Sequence, residues 1–196
     1  MRRQETCKDM RRSHCTRVAL LLATLLLCAQ TRAAEPLLLS EAIIDAPVTE
    51  VWKLFTTDAG LESWLAAHAD IDLKVGGLMR TQREPKGELG DDGTSVDQIL
   101  SFEPERMLSL KVYRPAADFP YPRAAQGVWS VIYFQPLEPG MTNVRIVSLG
   151  YTDDQESQQL RAYMRKVNAE GLEQLQRKFR PLCARCEKEK AAASRP

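Results

Sequence analysis

Seven side chains are the first candidates for a functional site in this sequence, because they combine aromatic, sulfur, guanidinium and aliphatic groups at strand or helix spacing. They are Trp64, Arg80, Trp129, Tyr133, Tyr163, Met164 and Val167. Aromatic and methionine side chains build adaptable apolar surfaces, and an arginine can hold a carboxylate through two parallel hydrogen bonds. These residue types predict a binding site for a small apolar or amphipathic molecule.

Few groups are suited to acid–base catalysis. His68 either acts as a general base at the mouth of a cavity or lies on the surface at a helix end. Asp70 and Asp72 share one strand face, and they either form a carboxylate pair or face solvent. Arg80 either holds a ligand or pairs with a strand neighbour such as Asp97. The sequence contains no G-x-S-x-G, P-loop, G-x-G-x-x-G or H-E-x-x-H motif, so it predicts no cofactor, no metal and no catalytic residue.

The composition narrows the function classes. The chain has 196 residues, with 27 Lys and Arg against 26 Asp and Glu, and two histidines. A balanced charge argues against nucleic-acid binding, which needs a basic surface. Two histidines cannot form a multi-histidine metal site. The longest apolar run is too short for a transmembrane helix.

The first 33 residues have the pattern of a secretory signal peptide. Six basic residues lie between Met1 and Arg17, followed by an apolar run from Val18 to Ala29 and by Thr31-Arg32-Ala33. This order predicts cleavage after Ala33, or else after Ala29, with either Met1 or Met10 as the start. The mature protein is then secreted or periplasmic and keeps no stable membrane span. An uncleaved membrane anchor is the alternative.

Cleavage would change the charge and the cysteine content. The mature chain would have 20 basic and 24 acidic residues, a net charge of −4, and would keep only Cys183 and Cys186. In an oxidising compartment, this C-x-x-C pair predicts a disulfide. The pair follows a long helix and has no further metal ligands nearby, which argues against a redox or zinc site. Residues 181–196 are predicted to form a charged tail.

Hydrophobic periodicity predicts an α+β domain over residues 36–180. Apolar residues at helical spacing predict a helix from Pro47, and Thr57-Asp58 can cap a short second helix that contains Trp64. Glycine and proline turns, including a two-residue hairpin at Gly76-Gly77, separate seven predicted strands, which suits an antiparallel sheet. The strands cover residues 36–45, 70–75, 78–83, 95–102, 107–113, 127–137 and 142–151.

A long C-terminal helix completes the series. Thr152 and Gln155 match a capping box, and an apolar stripe with a 3.6-residue period runs from Leu160 to Phe179. A proline-rich loop at residues 114–126 is long enough to cover an opening. We expect this loop to lie at the looser end of the contact between the helix and the sheet.

Several motifs, in order, resemble one known superfamily. They are Ala46-Pro47-x-x-x-Val51-Trp52, Leu61-x-x-Trp64, Val75-Gly76-Gly77, Phe102-x-Pro104 and Thr142-x-Val144-x-Ile146. Together they resemble the START/polyketide-cyclase (SRPBCC) superfamily, most closely its Aha1-type branch of homologues of a heat-shock chaperone ATPase activator. The resemblance implies the helix-grip fold, in which a seven-stranded antiparallel sheet wraps around the long C-terminal helix. Two short helices follow strand 1, and a cavity lies between sheet and helix.

The fold hosts carriers, enzymes and chaperone activators, so it leaves the function open. The main hypothesis is a secreted protein that binds a small apolar or amphipathic ligand without catalysis. The alternatives are a cyclase- or hydrolase-like enzyme that uses Arg80, Tyr133 or an acid at the cavity mouth, and an adaptor that binds a protein through the proline-rich loop. A dry apolar cavity favours the carrier, and a large cavity with two or more buried polar groups favours the enzyme. A filled core with Phe119 and Tyr121 exposed favours the adaptor.

Overall fold

The structure is a computed structural model that describes residues 37–137 and 140–179. The predicted signal peptide and the predicted C-terminal tail lie outside the described residues. The same holds for the cysteine pair, so these three predictions remain predictions. The described part covers the sheet and the helices that were expected to form the domain.

Seven strands and four helices occur in the described part of the chain. They are β1 (Leu38–Ile44), α1 (Val48–Thr56), α2 (Asp58–Glu62), β2 (His68–Ile71), β3 (Leu78–Gln82), β4 (Ser95–Glu103), β5 (Met107–Arg114), α3 (Pro122–Ala125), β6 (Trp129–Pro136), β7 (Thr142–Leu149) and α4 (Gln155–Phe179). The sequence predicted every one of these elements except α3, a single turn inside the proline-rich loop.

The strands form one antiparallel sheet in the order β1-β7-β6-β5-β4-β3-β2. Strands β2 to β7 each pair with their neighbour in sequence, and two long loops, between β3 and β4 and between β5 and β6, interrupt the series of shorter connections. β1 returns to the far edge and pairs with β7, from Leu38 opposite Ser148 to Ile44 opposite Thr142. α4 packs against this sheet, and two short helices follow β1. The α+β helix-grip fold is therefore confirmed.

The connection between β2 and β3 differs from the predicted two-residue hairpin. β2 ends at Ile71, so six residues rather than two link the strands. Gly77 donates its N–H to the carbonyl of Lys74 at 2.9 Å, and Gly76 has a φ of +81°. A Cβ atom at Gly77 would lie 2.0 Å from the carbonyl oxygen of Asp72. The glycines thus serve a tightly folded six-residue loop rather than a hairpin turn.

α1 and α2 form a short helical pair, as the sequence predicted. Val51, Trp52 and Phe55 of α1 are buried at helical spacing. The hydroxyl of Thr57 accepts a hydrogen bond from the N–H of Gly60 at 3.0 Å and caps α2. α2 ends at Glu62, so Trp64 lies just beyond it and not within it.

α4 is capped two residues later than predicted. The carboxylate of Asp154 accepts a hydrogen bond from the N–H of Ser157 at 3.1 Å, and the hydroxyl of Ser157 accepts one from the N–H of Thr152 at 2.9 Å. A carboxylate is favoured here because it also complements the helix dipole. The predicted capping box of Thr152 and Gln155 is wrong. None of the described helices, α4 included, has the length and hydrophobicity of a membrane span.

Candidate functional site

A cavity of about 440 Å³ lies between α4 and the inner face of the sheet. β3, β4, β5 and β6 supply the sheet wall, α4 supplies the opposite wall, and the residues after β5 border the opening. Most of the sheet wall is apolar, with Met79, Leu108, Leu110, Val112 and Ile132 facing the space. The space therefore lies where the curved sheet and the long helix do not fill the volume between them.

A row of four aromatic side chains, each in contact with the next, closes one end of the cavity. The ring of Phe134 lies 5.3 Å from that of Trp52 and 5.1 Å from that of Phe55, measured between centroids. Phe55 in turn lies 4.9 Å from Trp64, whose indole N–H donates to the carbonyl of Leu54 at 3.0 Å. This hydrogen bond fixes the indole, which lines the cavity. Trp64 is therefore the boundary between packed core and open space.

α4 changes its role along its length. Tyr163, Met164 and Val167 are half-buried and line the cavity, whereas Leu175, two turns further on, is fully buried in the core. Between them, Gly171 lies beside Trp64, and a Cβ atom at Gly171 would make an ordinary van der Waals contact, 3.7 Å from the edge of that indole. One continuous apolar stripe therefore serves both a core and a cavity wall.

The proline-rich loop borders the mouth of the cavity. Phe119 and Tyr121 each pack edge-on against Tyr163, with ring centroids 5.7 Å apart in both pairs. The N–H of Ala117 donates to the carbonyl of Asp92 at 2.8 Å, which ties the loop to the opposite rim. Phe119 lines the cavity, so this loop forms part of the wall at the opening.

A carboxylate at the start of α4 anchors the same loop. Glu156 accepts hydrogen bonds from the N–H of Ala124 at 3.1 Å and from the guanidinium of Arg123 at 2.6 Å. These two interactions, the backbone N–H first, lower the pKa of Glu156 below its usual value. α3 thus holds the loop against α4 by a charged contact at the protein surface.

The second rim of the mouth is the loop between β3 and β4. One carboxylate oxygen of Asp91 accepts from the amide of Gln82 at 2.5 Å and from the N–H of Gly93 at 2.9 Å, and the other accepts from the N–H of Glu88 at 3.0 Å. These contacts, the last one above all, lower the pKa of Asp91. Gln82 and Gly93 also line the cavity. This loop is therefore internally bonded despite its glycine content.

Trp129 contributes to the cavity lining at the end of β6, at its first position, although it shares the alternation of the outward-facing Tyr133. Its neighbour Gly150 has a φ of +88°, and a Cβ atom there would lie 2.8 Å from the Trp129 ring and 2.1 Å from the carbonyl oxygen of Gly127. Only glycine fits this close approach without strain. The backbone after β7 therefore leaves the space that the Trp129 ring occupies.

Tyr133 does not line the cavity, contrary to the prediction. The inward face of β6 consists of Ser130, Ile132 and Phe134, so Tyr133 points outward and is 42% exposed. The guanidinium of Arg145 lies 5.7 Å from its ring centroid, as its cross-strand partner. Aromatic or apolar residues alternate on both faces of this strand. The pattern alone could not identify the buried face.

Arg80 also lies outside the cavity lining. Its exposed guanidinium makes a two-pronged pair with the carboxylate of Asp70, its cross-strand partner. This hydrogen bond, with the opposite charge, raises the pKa of Arg80. The expected alternative partner, Asp97, lies opposite Met79 instead. Met79 and Arg80 are consecutive on one strand, so their side chains point to opposite faces.

The remaining acid–base candidates are on the surface. Asp72 pairs with Lys74 at 2.8 Å, so with Asp70 paired to Arg80 the two aspartates do not form a carboxylate pair. His68 is the first residue of β2, and its Nε2 lies 3.2 Å from the carbonyl oxygen of Pro85. None of these residues lines the cavity. In the part of the chain that the structure describes, no cluster of three metal-ligating side chains occurs.

Two polar residues in the cavity wall were missed as site candidates. Asp97 lines the cavity from β4, and burial raises its pKa to about 6. Asn168 lines it from α4, and its buried Nδ2 has no hydrogen-bond partner among the described residues. By contrast, the hydroxyl of Ser130 is bonded to that of Ser148 at 2.7 Å. The available signal was a charged residue in the middle of a strand, which was interpreted as a surface partner for Arg80.

Comparison with known proteins begins with a family match. The sequence profile of the family described as "Activator of Hsp90 ATPase homolog 1-like protein" matches residues 45–180. This range includes the two short helices, strands β2 to β7 and α4. No curated protein sequence matches the chain significantly.

Solved structures share the fold at low sequence identity. The Aha1 dimer from Colwellia psychrerythraea superposes with a TM-score of 0.57 at 16% identity, covering 74% of this chain and 96% of that one. Protein NE0264 from Nitrosomonas europaea gives 0.53 at 24% identity, with 75% and 97% covered. CalU16 from Micromonospora echinospora gives 0.52 at 20% identity, with 80% and 84% covered. At these identities the likeness establishes the fold alone.

Proposed function

The chain belongs to the Activator of Hsp90 ATPase homolog 1-like family of the SRPBCC superfamily, and from this premise we propose that it binds a small apolar or amphipathic molecule. The ligand occupies the cavity between α4 and the sheet. The observation that carries the proposal is the volume of about 440 Å³ with a largely apolar wall. Such a volume suits a small organic molecule, and ligand pockets are typically apolar with a few placed polar groups.

Two features support the enzyme alternative. Several polar residues line the cavity, among them Thr81, Gln82, Asp97 and Asn168, which was the pattern expected of an enzyme, and the pKa of Asp97 is about 6, close to the range in which a carboxyl can act as an acid or a base. A catalytic acid normally acts with a second group that is itself oriented by hydrogen bonds. In the described residues, burial is the sole influence on the pKa of Asp97, so no charged or hydrogen-bonding group assists it. Binding is therefore the better-supported function.

The adaptor alternative fits the structure less well. Phe119 and Tyr121 are partly buried against Tyr163, whereas the adaptor hypothesis required both rings to be exposed. Export, if it occurs, would also separate the chain from a cytosolic chaperone. We therefore do not transfer the chaperone-activating role in the family description to this chain.

Filling the cavity from α4 tests the binding proposal. Val167→Trp adds a large ring to the half-buried wall, and we expect it to abolish the fluorescence gain of the neutral probe N-phenyl-1-naphthylamine while the fold survives. Lys166→Trp, which adds the same ring on the exposed face of α4, is the matched control and should keep binding.

A different result would count against the proposal. If the space beside Val167 closes in solution, Val167→Trp destabilises by about 1–3 kcal/mol through overpacking, and the parent protein shows no probe binding to lose. Native mass spectrometry of the protein from its own host provides an independent measurement, because a bound ligand would add a defined mass.

We also propose that the protein is secreted or periplasmic. The support is the basic, apolar and small-residue order of residues 1–33. Fused to a reporter that is active only outside the cytoplasm, residues 1–40 should activate it, and the mature protein should begin near Ala34. A cytoplasmic protein that retains Met1 or Met10 would contradict this proposal.

A further inference from the structure

Asp97 occupies an apolar position on the inner face of the sheet. Its cross-strand partner on β3 is Met79, which is 5% exposed, and its partner on β5 is Val112. Two residues further along β4, Ile99 is fully buried on the same face. The half-buried Asp97 thus places its carboxyl in the cavity wall beside apolar side chains.

The carboxyl of Asp97 has no partner within the described structure. Only burial shifts its pKa, with no contribution from a hydrogen bond or an opposite charge. The other charged residues that line the cavity, Arg83, Glu84 and Asp118, are exposed at its mouth. An ionised carboxylate in an apolar site without a partner costs free energy, and such groups concentrate at functional sites.

A second unpartnered group lies on the facing wall. The Nδ2 of Asn168 is buried on α4 and donates to no described residue. The hydroxyls of Ser130 and Ser148 bond to each other and need no ligand. Among its polar lining residues, the cavity therefore presents one unpartnered charged acceptor, Asp97 of β4, and one unpartnered neutral donor, Asn168 of α4.

We propose that the ligand is an amphipathic amine, whose cationic nitrogen donates to Asp97 while its apolar body fills the rest of the cavity. The proposal rests on the binding function proposed above. An ammonium group would give the carboxylate a charge-assisted hydrogen bond and would offset the cost of its burial. Asn168 would donate to an acceptor elsewhere on the ligand. An anionic ligand such as a fatty acid would meet a like charge in a medium of low polarity, where repulsion is strong.

Competition between an amine and an alcohol of equal chain length tests the proposal. The protein from its own host is loaded with N-phenyl-1-naphthylamine at pH 7.5, and the probe is displaced by n-decylamine or by 1-decanol. We expect the amine to bind about tenfold tighter or more, since one charge-assisted hydrogen bond is worth at least that factor. In Asp97→Asn the preference should fall to near unity while the affinity for 1-decanol persists.

Asp72→Asn is the matched control, because it removes one negative charge from the exposed surface outside the cavity and leaves the carboxyl of Asp97 intact. It should keep the preference for the amine. Equal affinity of the two decyl compounds in the parent protein would overturn the amine proposal and leave the binding proposal standing. The same holds if Asp97→Asn keeps the preference. Failure of the probe and of both decyl compounds to bind would instead overturn the binding proposal itself.

Discussion

The two halves of α4 face the same sheet and have opposite properties. The C-terminal half presents Leu172 and Leu175, which are 5% and 0% exposed, to a core that contains Trp52 and Phe134. The N-terminal half presents Tyr163, Met164, Val167 and Asn168, all half-buried, to the cavity. The C-terminal half packs against aromatic and branched side chains. The N-terminal half borders an open volume that contains unpartnered polar atoms.

The difference shows how one helix can contribute to a packed core at one end and to the wall of an open cavity at the other. α1 is the additional layer at the C-terminal half, where its aromatic residues fill the space between sheet and helix. At the N-terminal half the loop after β5 covers the helix, through the contacts of Phe119 and Tyr121 with Tyr163, and a small buried cluster around Leu160 packs beside it. A loop covers less volume than a helix packed on the sheet. The cavity therefore persists at the end that α1 does not reach.

The largest expected effect comes from truncating a side chain in the packed half. Leu175→Ala should lower the free energy of unfolding by about 2–5 kcal/mol, because it leaves a void in a filled core. Val167→Ala in the cavity half is the matched comparison, and it should cost less than about 1 kcal/mol, since it enlarges a space that already exists. Urea unfolding of both variants measures the difference. Similar losses would show that α4 packs uniformly along its length.

A smaller effect of opposite sign is expected at Asp97. The pKa of Asp97 is raised from 3.8 to about 6 in the folded state, so folding favours the protonated carboxyl. The full stability is therefore present below the unfolded pKa, and it is lost as the pH rises through 6. Asp97→Asn cannot ionise, so it should be more stable than the parent by roughly 2–3 kcal/mol above pH 7 and nearly equal near pH 4. Chemical denaturation across this range measures the gap. A gap that is independent of pH would contradict an unpartnered, buried carboxyl.

The sequence was sufficient for the fold because local signals agreed with one another. The 3.6-residue stripe of α4, the period-two strands and the glycine turns each required their element, and their order matched a single fold family. The sequence also predicted that the cavity lies at the end of the helix–sheet contact where the proline-rich loop is, and it identified five residues that line this cavity. These are Trp64, Trp129, Tyr163, Met164 and Val167. Their role in ligand binding stays a prediction.

The sequence could not assign strand faces where both faces carried similar residues. On β6, Trp129 and Tyr133 alternate with Ile132 and Phe134, and both sets contain aromatic or apolar side chains. Only the pairing in the sheet determined that Ile132 and Phe134 point inward. Arg80 was expected on a cavity face for the same reason, and its pairing with Asp70 shows that it faces outward. A shift by one residue inverts every side chain of a strand, so strand faces are a property of the assembled sheet.

The sequence alone determined the elements, their order and the apolar stripe of α4, because these depend on neighbours within a few residues. Only the tertiary structure decided that Asp97 and Asn168 line the same cavity, because they lie on separate elements that folding brings together. It also decided that Asp97 has no partner, because the loss of hydration depends on every group packed around a carboxyl. Burial and pairing are sums over the whole fold, and they cannot be obtained from the spacing of residues along a chain.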